Sequence, residues 1–134
     1  DIWSVTSYSE LHKEAEDIER WNLLHPEKPQ KSSYLSDCLS KTNAPIVATS
    51  DYVKLVSEQI SPYIENTLVS LGTDGFGRSD TRDGLRNFFE INKYYIILAA
   101  VNVLVKEGQI DKKIISKVIK KYNIETEKPN PLQC

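Results

Sequence analysis

Three short runs rich in β-branched and aromatic residues punctuate the chain: "IWSVTS" (2–7), "PIVATS" (45–50) and "TLVSLGT" (67–73). The first two lead into residues whose apolar positions recur at helical spacing, and the third leads through a glycine-rich loop to two more helical stretches. The pattern therefore predicts strand and helix in alternation. Alternation of this kind leads to an α/β fold, an open sheet whose faces are covered by helices. The chain has 134 residues, enough for one domain with its own hydrophobic core.

Local signals place the helices. Ser7 or Ser9 can cap a helix carrying Leu11, Ala15, Ile18 and Trp21, with Glu10 supplying a carboxylate near its start and His25-Pro26 ending it. A short helix is expected at Tyr34 to Leu39. Asp51 is the expected N-cap of a helix with Val53, Val56, Ile60 and Ile64 on one face, disturbed near its end by Pro62. A short helix near Leu85 to Phe89 and an apolar, buried one from Tyr94 to Lys106 are expected next, with a stop at Gly108. Asp111 then begins an amphipathic helix through Ile114, Ile115, Val118, Ile119 and Tyr122. The tail "TEKPNPLQC" reads as a solvated terminus.

Charge and cysteine usage narrow the function classes. Seventeen Lys and Arg stand against nineteen Asp and Glu, a balance without the basic surface that nucleic acid or an anionic membrane requires. The most apolar run, "YYIILAAVNVLV" (94–105), contains Asn102 and falls short of the roughly 20 residues of a membrane span. The opening "DIWSVTS" lacks the charged and apolar regions of a signal peptide, so a cytoplasmic location is expected. Cys38 and Cys134 have no partner at ligand spacing and read as free thiols in a reducing compartment. Methionine is absent even at position 1 and the first residues are already strand-like. A piece of a longer polypeptide is the expectation.

The stretch "LGTDGFGRSD" (71–80) gathers three of the five glycines. A glycine-rich turn between strand and helix can offer backbone N–H groups to an anion. This one matches neither GxGxxG nor GxxxxGK[ST], and Asp74 and Asp80 would repel a phosphate. Arg78 favours an anion, and Ser79 or Asp80 can cap the following helix. Gly75, Phe76, Gly77, Arg78 and Ser79 are thus candidates for an interface or anion loop, the interface being the simpler reading. His12 sits four residues before Glu16, a surface pair, and His25 ends a helix. Trp3 and Trp21 are expected in the core or at a subunit contact. Neither the histidines nor the pairs Asp17/Glu19 and Asp80/Asp83 make an active site.

Four stretches taken in order, "DIWSVTSYSEL", "ERWNLLHPE", "LGTDGFGRSDTRDGLRNFFE" and "GQIDKKII", closely resemble the carboxy-terminal part of the bacterial homodimeric pyruvate dehydrogenase family. The likeness runs from Ile2 to about Ile124; in looser form, Phe76-Gly77 with Ser79 also resembles transketolase. The resemblance implies a transketolase-type C-terminal domain with a mixed, mostly parallel sheet, here lacking the family's first strand and helix. It implies that cofactor-binding domains lie upstream. The family oxidatively decarboxylates pyruvate with thiamine diphosphate and magnesium, then acetylates a lipoyl group on the dihydrolipoyl acetyltransferase component. No catalytic, cofactor or metal residue carries over to this chain, and no cofactor is expected bound to it. What remains for this domain is support of the homodimer, with the glycine loop as a contact segment, because its three glycines allow close backbone approach and Phe76 can serve as an apolar plug. Lys128-Pro129 departs from the family pattern, which usually lacks the proline, and is expected to affect only the tail.

Overall fold

A computed structural model describes residues 1–133. Its order is α1 (Tyr8–Leu24), α2 (Tyr34–Leu39), β1 (Ile46–Thr49), α3 (Leu55–Glu58), a 3₁₀ turn (Ser61–Tyr63), β2 (Leu68–Leu71), α4 (Arg82–Phe88), α5 (Lys93–Lys106), α6 (Lys113–Lys121) and a last 3₁₀ turn (Pro131–Gln133). The strands pair in parallel, Ile46 opposite Leu68 and Thr49 opposite Leu71. Parallel neighbours need a crossover, and α3 with the turn at Ser61–Tyr63 provides it. The ladder is prolonged at both ends, by the Ile46 N–H to the Thr67 carbonyl at 2.8 Å and the Ser50 N–H to the Leu71 carbonyl at 3.1 Å.

Helices flank this small sheet. α5 packs on both strands and on α6, while α1 packs on α2 and α3. The core is made by Ala15, Leu35, Ala48, Ile60, Phe89, Ile91, Val103 and Val118. Inside it, the Ser57 hydroxyl reaches the Ser70 hydroxyl at 2.8 Å and the Lys54 carbonyl at 3.1 Å, tying α3 to β2. This is the expected α/β architecture, a mixed α/β domain with parallel strands flanked by helices.

Several local expectations hold because their chemistry is short-range. The Ser7 hydroxyl accepts from the Glu10 N–H at 3.2 Å and starts α1, and His25 ends it. α2 spans the anticipated residues, with the Ser33 hydroxyl accepting from the Ser36 N–H. Pro62 lies in the first residues of a 3₁₀ turn. Asp111 accepts from the Lys113 N–H at 2.7 Å, and Gly108 takes the left-handed φ of 72° after α5.

Others are corrected. "IWSVTS" forms no strand: Ile2, Trp3 and Val5 are exposed and no backbone among the described residues pairs with them. Trp3 is therefore not a core residue, whereas Trp21 is half-buried and stacks on His25 with ring centroids 4.4 Å apart. Asp51 caps no helix, because α3 begins only at Leu55 after Lys54 and has no side-chain cap. Of the face proposed for that helix, Ile60 is buried and Val53 is exposed.

The apolar helix α5 is half-buried along its length, and Val103 alone of its residues is fully buried. The 25-residue stretch Arg82–Lys106 is apolar enough to cross a membrane by length and composition. Glu90, with φ of 61°, divides it into α4 and α5, each shorter than the roughly 20 residues a span needs. Cys38 is a free, half-buried thiol; Cys134 lies outside the described residues.

Candidate functional site

The glycine loop joins β2 to α4 at the carboxyl end of the sheet, and short-range packing dictates its course. A Cβ on buried Gly72 would meet the Tyr52 carbonyl at 2.5 Å and the Lys54 nitrogen at 2.7 Å, so only glycine lets the two backbones touch. The Thr73 N–H donates to the Tyr52 carbonyl at 2.9 Å and its hydroxyl to the Asp51 carbonyl at 2.8 Å. Asp74 then accepts from the Lys54 N–H at 3.3 Å, with the Lys54 ammonium 3.8 Å from its other oxygen. That second oxygen is buried and has no hydrogen-bond partner among the described residues, so the ammonium is what offsets its lost hydration.

Beyond Asp74 the loop turns outward. Gly75 takes φ of 106°, and a Cβ there would meet the Pro131 carbonyl at 2.6 Å. Phe76 is 79% exposed, while Gly77, Arg78 and Ser79 are exposed as well. The Arg78 guanidinium lies over the Phe88 ring, 4.1 Å from its centroid. The N-cap of α4 is Thr81, whose hydroxyl accepts from the Gly84 N–H at 3.2 Å. Neither Ser79 nor Asp80 takes that place; Asp80 accepts from the Thr81 N–H at 2.6 Å.

The surroundings of this loop are apolar. Tyr52, Val53, Leu55, Phe76 and Leu132 are all exposed large side chains. They lie on three segments that the contacts of Gly72, Thr73 and Gly75 bring together. Single exposed apolar side chains are ordinary on a protein surface, whereas a group of them gathered at one corner sets this corner apart from the rest of the surface. Residues 75–79 line neither of two clefts elsewhere, one of about 800 Å³ between Ser50, Asp51, Arg86 and Lys93 and one of about 340 Å³ between α1 and α2.

The remaining candidates fall apart as chemistry. The His12 ring donates to the Gln59 carbonyl at 3.0 Å and lies 3.9 Å from the Glu16 carboxylate, so it joins α1 to the end of α3 as well as making the anticipated pair. The His25 ring donates to the Trp21 carbonyl at 2.8 Å. Among the described residues no group of three or more His, Cys, Asp or Glu could hold a metal ion.

Sequence reasoning missed Lys128. Its ammonium donates to the Asn87 and Phe88 carbonyls at 2.7 and 2.9 Å and pairs with Glu90 at 3.4 Å. Lys128 and Pro131, both half-buried, thus fasten the tail to the fold, while Thr126, Glu127, Pro129, Asn130, Leu132 and Gln133 are exposed as expected of a solvated terminus. Its only signal in the sequence is a lysine between acidic Glu127 and Pro129, which does not name the distant helix end it caps.

Comparison with known proteins gives these features a family. A model of the transketolase-like TK C-terminal domain matches residues 1–92. Proteins named pyruvate dehydrogenase E1 component are similar over nearly the whole chain. That of Pseudomonas aeruginosa is 46% identical over 100% of this chain, that of Buchnera aphidicola from Acyrthosiphon pisum 50% over 98%, and that of Escherichia coli K12 45% over 98%. In each case the chain spans 15% of the relative's length. The chain belongs to the transketolase-like C-terminal domain family, in a form similar to that of pyruvate dehydrogenase E1 components.

Proposed function

We propose that this chain serves as the C-terminal domain of a pyruvate dehydrogenase E1 component and supports its dimer through the corner built around the glycine loop. The observation that carries the contact role is an excess of surface. The chain exposes 9675 Å² for a mass of 15.3 kDa, where a compact protein of that mass exposes about 7,100 Å². The surplus, roughly 2,500 Å², is enough to cover one side of a large interface and includes the exposed amino-terminal segment. Phe76, Leu55 and Tyr52, exposed by 79, 70 and 70%, lie in the corner where such a contact would form.

In this reading the parent protein oxidatively decarboxylates pyruvate and passes the acetyl unit to the lipoyl group of the dihydrolipoyl acetyltransferase component, in the cytoplasm. Thiamine diphosphate, held with magnesium, is the electron sink for that chemistry. Its site would lie outside the residues described. This chain's own part is to hold neighbouring domains in register, and by itself it has no turnover. Binding of a small anion at Gly75–Ser79 is the alternative. The stacking of Arg78 on Phe88 and the nearness of Asp80 weigh against it.

The test uses the natural polypeptide, captured from its source with an antibody raised against this chain. Pyruvate-dependent dye reduction that requires thiamine diphosphate and magnesium is expected. A native polypeptide without such activity would overturn the assignment.

A further inference from the structure

The tail of the chain crosses back over the molecule and touches the glycine loop and the helix that follows it. Lys128 is its anchor, with a side chain only 11% exposed. It gives two hydrogen bonds to the carbonyls of Asn87 and Phe88, at the carboxyl end of α4, and its third near neighbour is the Glu90 carboxylate. The Asn87 carbonyl already accepts from the Glu90 N–H at 3.3 Å, so the ammonium adds a second donor there, gives the Phe88 carbonyl a donor, and meets the negative end of the helix dipole. Glu90 itself is held at a left-handed φ of 61°, the turn that ends α4 and aims the chain into α5.

From this anchor the tail runs to a second contact. Pro131 and Leu132 sit against Gly75, so closely that a Cβ on Gly75 would meet the Pro131 carbonyl at 2.6 Å and the Leu132 Cα at 3.5 Å. The Asn130 side chain accepts from the Leu132 N–H at 3.0 Å and its carbonyl from the Gln133 N–H at 2.9 Å, closing the turn that presents this face. Between the two contacts lies Phe88. Arg78 of the loop approaches its ring at 4.1 Å and Lys128 of the tail at 5.9 Å.

We infer that residues 128–132 are a strap that sets the shape of the glycine loop, with Lys128 as its positioning residue. Loop and tail share one ring and one backbone contact, so neither can move without disturbing the other. Between Asp74 and Asp80 the loop has few fastenings of its own, and its conformation depends on the strap and on the Arg78–Phe88 stacking. This deepens the contact role proposed above, because the strap would fix the pose of Phe76 that a second subunit meets. It does not depend on that role being correct.

The test is made in the natural polypeptide. Trypsin cleavage after Arg78 is followed by mass spectrometry, with cleavage after Arg20 in α1 as the internal control. Lys128→Ala should speed cleavage after Arg78 by about tenfold, the loss expected when a buried charged hydrogen-bond donor is removed. Cleavage after Arg20 should stay unchanged, and Lys128→Arg should restore slow cleavage. A rate after Arg78 within about twofold of the parent in Lys128→Ala would overturn the inference. If that variant fails to fold, Gly75→Ala decides. The added methyl should raise hydrogen exchange of the Leu132 and Gln133 amides by about tenfold, since coupling between two sites is reciprocal. Unchanged exchange there would equally overturn the strap. Sedimentation velocity in parallel checks that the extent of subunit assembly is equal in parent and variants, so failure of the dimer role and failure of the strap are told apart.

Discussion

Residues 2–6, "IWSVT", and residues 46–49, "IVAT", are built from the same kinds of side chain and end differently. In β1 residues 46–49 lie in parallel register with Leu68–Leu71, and Ala48 is 7% exposed. In the amino-terminal segment Ile2 is 102% exposed and Trp3 56%. The difference lies in the partner. β-branched and aromatic residues fit a pleated, half-buried surface, and without a neighbouring strand and a covering helix their preference yields nothing. A strand of this composition left open is also a ready template for another chain.

Substitutions can break that contrast. Ala48→Asp places a charge inside the paired region and should cost roughly 4 kcal/mol or more in a urea titration of this chain, enough to unfold it. Val5→Asp should stay within about 0.5 kcal/mol in the same titration. In the natural polypeptide Val5→Asp should become clearly destabilising, because a partner would then cover the segment. A large effect of Val5→Asp in the 134-residue chain would mean that the segment is already packed and that the comparison is mistaken.

The same logic separates two glycines in one loop. Gly72 faces the Tyr52 and Lys54 backbone, whereas a Cβ on Gly77 would meet nothing within 4 Å. Gly72→Ala should cost about 1–3 kcal/mol because backbone must shift to admit the methyl. Gly77→Ala should be neutral or stabilising by up to about 1 kcal/mol through the unfolded chain. Thermal unfolding of the two variants checks this, and equal shifts would count against the described loop. A smaller effect separates two cap candidates. Thr81→Ala should cost about 1 kcal/mol as a lost cap, and Ser79→Ala less than about 0.5 kcal/mol.

Those pairs also show what a sequence can disclose. Ser7 acts on an amide three residues away and Asp111 on one two residues away, so those helix starts are legible from spacing alone. Thr81 stands beside Ser79 and Asp80 with similar capping chemistry, and only the path of the backbone selects it. The failure of the first strand and the half-exposure of α5 depend on which surfaces meet, which local pattern does not encode. Within the candidate site, the close approach at Gly72 and the positive φ of Gly75 follow the residue type. Lys128 could not be placed, because its acceptors lie about 40 residues away in sequence.

The central claim is that the corner around the glycine loop is a contact surface, and Phe76 tests it most directly. Phe76 is 79% exposed, so replacing it by aspartate removes no core packing from this domain. Sedimentation velocity of the natural polypeptide carrying Phe76→Asp should show its dimer dissociating at concentrations where the parent remains associated. A dimer unchanged in stability, with unchanged turnover, would contradict the account.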